Sequence, residues 1–159
     1  MVLGWLKRKQ DPFKGQDPQA MVAIFEKEVA HQDELLFGVS LFFECISMLY
    51  AGREDLIQSY RKQCRNMLQQ GQQATQSARD LLNKIPRDPT AVAQIRDFQF
   101  PLFDGHPQPE KMAARCEILA EAYRKAFPGR PRTQSMKDED VFALVKVAVD
   151  SLSALPADQ

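Results

Sequence analysis

The chain lacks paired cysteines. Its three, Cys45, Cys64 and Cys116, stand apart inside apolar patterns, which excludes the close spacings of zinc sites and redox motifs. They read as small core hydrophobes in a reducing, cytoplasmic compartment. Glycine is scarce, seven in 159 residues, and no Gly-rich phosphate loop is among them. Neither sign of charge is in excess: 21 basic residues balance 21 acidic ones. The balance speaks against a strongly basic nucleic-acid binder, although local patches are compatible with it, and no nucleic-acid partner is expected. Long apolar runs are missing too, since a membrane-spanning helix needs roughly 20 apolar residues. The longest run here, Leu35 to Tyr50, has sixteen and includes Gly38, Ser40, Glu44 and Ser47. A carboxylate at mid-membrane would add a few kcal/mol of cost. The opening "MVLGWLKRK" puts its apolar residues before its charges, the reverse of a secretory signal, so export is not expected. Alternating strand patterns and internal repeats are also absent.

What is present is a chain of 44% hydrophobic and 26% charged residues, the balance of one soluble domain able to bury a core. Residues 1–16 read as a flexible amphipathic segment, and residues 17–155 as a single helical-bundle domain. Asp17-Pro18 pairs a capping carboxylate with a proline at the first helical position, which starts a long helix ending near Ala51, before Gly52. From Arg53 to Ile85 a heptad runs through Ile57, Tyr60, Cys64, Met67, Gly71, Ala74, Ala78, Leu81 and Ile85. That seam predicts an antiparallel partner at a shallow angle, and the short turn at Gly52 makes it the first helix. Pro86 and Pro89 stop the second helix, and "TAVAQIRDF" predicts a short one. Pro109 to Phe127 carries Met112, Cys116, Leu119, Tyr123 and Phe127 on one face. After "PGRPR", Ser135 with Asp138 and Glu139 forms a capping box for a last helix whose inward residues are Val141, Leu144, Val145, Ala148, Leu152 and Leu155. The expected fold is all-α: a bundle of four principal helices, the first two forming a long antiparallel hairpin.

Chemistry is thinly signalled. Glu28 and His31 have the Glu-x-x-His spacing of di-metal bundles, but the second pair those sites need is missing, so no metal and no cofactor is assigned. A phosphotransfer role for His31 is opposed by Glu28, Asp33 and Glu34 around it. No nucleophile and base are tied together by a motif, and no catalytic residue is assigned. Arg124, Lys125, Arg130 and Arg132 form a basic patch around a helix carboxy terminus, where cations also favour the dipole.

The sequence therefore points to surfaces. A helix apolar over most of its circumference, as between Leu35 and Tyr50, demands cover from its own bundle or from another protein. The expected partner-binding residues are Phe37 and Leu41 on that helix, Phe98, Phe100, Leu102 and Phe103 in the "FQFPLF" loop, and Trp5 as a second anchor. The partner is a protein or a second copy of the chain. Trp5 beside Lys7, Arg8 and Lys9 also suits a weak contact with an anionic membrane surface. The alternative is a hydrophobic small-molecule or lipid pocket, with Gly71, Ala74 and Ala78 leaving room and Glu44 as its polar group.

Overall fold

The computed structural model describes residues 13–130 and 136–153, with side chains as far as Val149 in the last helix. All its regular elements are helical: α1 (Pro18–Leu49), α2 (Glu54–Lys84), a single 3-10 turn (Pro89–Ala91), α3 (Val92–Asp97), α4 (Pro109–Ala126) and α5 (Asp138–Ser153). The fold is an all-α bundle of four principal helices with the short α3 between them, and α1 and α2 form the antiparallel hairpin.

Local chemistry sets the boundaries. Asp17 Oδ1 accepts a hydrogen bond from the Ala20 amide at 2.7 Å, and Pro18 takes the first turn, where no amide proton is needed. The α1–α2 turn closes with the Arg53 amide donating to Tyr50 O at 2.9 Å, and Gly52 supplies the positive φ of 84°. Pro86 ends α2. Asp88 repeats the Asp17 device at the 3-10 turn, accepting from the Thr90 amide at 3.1 Å.

Two apolar cores lie along α1. The larger joins Leu35, Val39, Phe42, Cys45 and Ile46 to Ile57, Cys64 and Met67 of α2, to Met112, Cys116 and Leu119 of α4, and to Val141, Leu144 and Ala148 of α5. The smaller gathers Phe13, Met21, Phe25 and Val29 with Ala78 and Leu81 of α2, Ala91 of the 3-10 turn, Ile95 of α3, and Phe100. At their boundary the buried side chains are polar: Gln32 on α1 and Thr75 on α2, 1% and 3% exposed. Thr75 Oγ1 donates to Gly71 O at 3.0 Å.

The most apolar run of the sequence is therefore interior. Leu35, Val39, Cys45 and Ile46 are fully buried by this chain's own helices, each large side chain contributing about 1.5–3 kcal/mol of burial. Gly38 lets α4 approach so closely that a Cβ there would run into the Cys116 carbonyl, with its carbon and the Cys116 Cβ only 2.7 Å away. Polar side chains in and beside the run are tied to α2 or to α1 itself. Arg61 donates to Ser47, Arg79 pairs with Asp33, and Ser40 Oγ donates back to Leu36 O at 3.3 Å.

The hydrophobic loop is interior as well. Phe100 is 3% exposed and packs with Phe25, ring centroids 5.9 Å apart, while Phe98 meets Phe25 edge-on at 5.5 Å. Leu102 and Phe103, each 1% exposed, fill the larger core. Phe13, ahead of Asp17, is buried in the smaller core. Residues 1–12, with Trp5 and Lys7 to Lys9, lie outside the described residues, as do Arg132, the Ser135 cap and the side chains of Leu152 and Leu155.

Candidate functional site

An open groove of about 390 Å³ between α1 and α4 is lined by His31, Glu34, Glu117, Ala120, Glu121 and Arg124. His31 faces α4 because it lies one turn from Glu28 and Leu35 on the stripe that Gly38 brings against Cys116. Its Nε2 is 3.7 Å from Glu117 Oε1, longer than a hydrogen bond. Arg124 bridges the two helices, donating to Glu34 at 2.8 Å and to Glu121 at 2.5 Å. The guanidinium hydrogen bond holds the Glu121 carboxyl below its usual range and raises Arg124 in turn. These are exposed pairs and add little stability, as is usual for ions that water already solvates. The lining has no thiol or hydroxyl to act as nucleophile. Among the described residues no group of three or more His, Cys, Asp or Glu is placed to hold a metal ion.

The thiols are no better placed for chemistry. All three are free and fully buried. Burial pushes the Cys45 and Cys64 thiols up to about 12, with Glu44 adding to the first, and raises Cys116 well above its ordinary value. They stay protonated, and a protonated thiol is a poor nucleophile.

Several surfaces expected from the sequence do not assemble. Leu41, at 2% exposure, Phe100, Leu102 and Phe103 are core residues, and Phe37 is half-buried with its ring edge-on to Tyr123 at 5.0 Å. Phe98 is half-buried against Phe25 and Phe100. The reason is one of fit: Leu102 and Leu36 converge on Gly71, where an added Cβ would meet them at 2.9 and 2.5 Å. The same contact fills the place of the alternative pocket. Ala78 is fully buried, Ala74 packs against the smaller core, and Glu44 points to solvent rather than into an apolar wall. The described members of the basic patch each have an acidic neighbour. Arg124 is held by Glu34 and Glu121, Lys125 is 3.9 Å from Glu121, and Arg130 pairs with Asp140 at 2.9 Å while lying over the Phe127 ring.

Among the described residues one cationic side chain is interior. Arg115, 7% exposed, places its guanidinium 5.9 Å from the ring centres of both Phe42 and Tyr60, and Tyr50 stacks on Tyr60 at 4.9 Å. This cluster stiffens the junction of α1, α2 and α4 through cation–π attraction.

The surface that the bundle leaves uncovered is on α5. Phe142 is 63% exposed, Val147 49% and Val149 44%; the one other large exposed apolar side chain among the described residues is Met48 of α1, at 38%. The segment "VFALVKVAV" is apolar at nearly every angle around the helix, and α4 and α1 cover only the side of Val141, Leu144 and Ala148. A count of apolar positions against the width of one buried face would have found this surplus. No family model, curated protein or solved structure matches this chain.

Proposed function

We propose that this protein is a non-catalytic helical interaction protein, an adaptor, assembly factor or small subunit, working through the outward face of α5. The observation that carries this reading is the exposure of Phe142, Val147 and Val149 on one helix. Phe142 and Val149, seven residues apart, lie on one side of the helix with the composition of an interface anchor, and such side chains are seldom left bare together. The buried, protonated thiols support a binding role over a chemical one. Free, buried thiols also suit a cytoplasmic setting.

A photo-activated benzophenone side chain placed at Phe142, irradiated in native extract and followed by mass spectrometry, tests the reading. The expected result is one discrete protein adduct, whether a different protein or a second copy. The same label at Gln73, on the exposed polar face of α2, serves as control. Equal labelling from both positions, or none from Phe142, overturns the proposal.

A further inference from the structure

Building on the interaction role proposed above, we infer that the outward face of α5 docks on a second copy of itself, antiparallel, with Phe142 at the two-fold axis. Glu139, Phe142, Lys146 and Val149 follow one another at steps of three, four and three, so they form one stripe, and all four are exposed. The stripe is about 15 Å long at 1.5 Å per residue. It has a charge order: an acid at its start, a phenylalanine, a lysine, then a valine. Two stripes laid parallel would set Glu139 against Glu139 and Lys146 against Lys146. Laid antiparallel about Phe142, they set Lys146 of each copy beside Glu139 of the other, with Asp138 close behind. The two phenylalanines then meet at the centre. Attraction replaces repulsion at both ends, and the contact closes on itself as a two-fold pair rather than growing into a filament. The acidic first turn, Asp138, Glu139 and Asp140, also disfavours an anionic lipid surface as the occupant of this face.

A pair of 16-residue helices is a small contact. Stable complexes bury about 1,200–2,000 Å², so this dimer is weak and forms as concentration rises. Sedimentation velocity of the full chain over a concentration series reads it directly. Wild type is expected to shift from one copy to two, and Phe142→Ser to remain monomeric with an unchanged helical circular dichroism spectrum. Lys146→Glu is expected to weaken dimerisation at least about tenfold, because both end pairs turn repulsive. Combining it with Glu139→Lys restores the pairs with reversed sign, and dimerisation returns. A wild type that stays monomeric throughout, a Lys146→Glu variant that dimerises like wild type, or a double variant that does not recover overturns the inference. If wild type is monomeric yet the Phe142 label captures a different protein, the interaction role stands and the second-copy assignment falls.

Discussion

Leu35 and Phe142 are both large apolar residues within helices, and they meet opposite fates. Leu35 is fully buried, whereas Phe142 is 63% exposed. Around Leu35, α1 is enclosed by α2, α4 and α5, with Gly38 and Gly71 letting neighbours approach to contact distance. Around Phe142, α5 has neighbours on one side only. The long apolar run of α1 is thus largely enclosed, whereas the shorter and equally apolar "VFALVKVAV" of α5 keeps one side in water. Apolar content measures how much cover a segment needs; availability depends on how much of that cover the fold supplies.

Gly38→Ala is the harshest way to break this contrast. Its new Cβ meets backbone of Cys116, which cannot swing aside, so α4 must move off α1. A loss of about 3 kcal/mol or more in urea unfolding is expected, at the upper end for overpacking. Alkaline pH attacks the same enclosed region. Folding raises the Cys45 and Cys64 thiols from the ordinary 9.0 to about 12, so the folded state holds these protons more tightly than the unfolded chain. Their contribution is complete below about pH 9 and is lost as pH rises from there toward 12, by about 1.4 kcal/mol per thiol for each pH unit. Urea midpoints measured at about pH 8 and about pH 10 should fall accordingly, and Cys64→Ala should flatten the slope. Gly71→Ala is milder, about 1–2 kcal/mol, because the atoms it meets are the flexible ends of Leu36 and Leu102. If Gly71→Ala proves costlier than Gly38→Ala, the close approach of α4 is not the tightest point of the bundle. Smallest of all, Phe142→Ser should change the unfolding free energy by less than about 0.5 kcal/mol, since that ring is already in water. A large loss there would mean that α5 buries the ring in the folded monomer.

The helices and the hairpin were legible because their signals are local. Asp17-Pro18, Gly52, Pro86 and Asp88-Pro89 act on their own neighbours, and the heptad of α2 needs only counting. Which apolar residues would be covered was not legible, because cover is a matter of three-dimensional fit. Nothing in "FQFPLF" reveals that Leu102 reaches Gly71, so the loop read as an exposed docking segment. Thr75 shows the same limit. The seam assigns its level to Ala74, yet Thr75 is the residue that buries, its hydroxyl satisfied by the Gly71 carbonyl. The exposed side chains of α5 are a different case, because they follow from the pattern alone: Phe142, Val147 and Val149 lie off the inward stripe of Val141, Leu144 and Ala148.

The polar level at Gln32 and Thr75 has a consequence for how the molecule comes apart. Below it the hairpin is held by Phe13, Phe25, α3 and Phe100, and above it by α4 and α5, so the two ends of α1 share a backbone but no apolar cluster. Thermal opening of one end has a natural place to stop. Amide exchange along α1 should therefore fall into two protection classes that change near residue 32, making a single 32-residue helix behave as two cooperative units joined end to end.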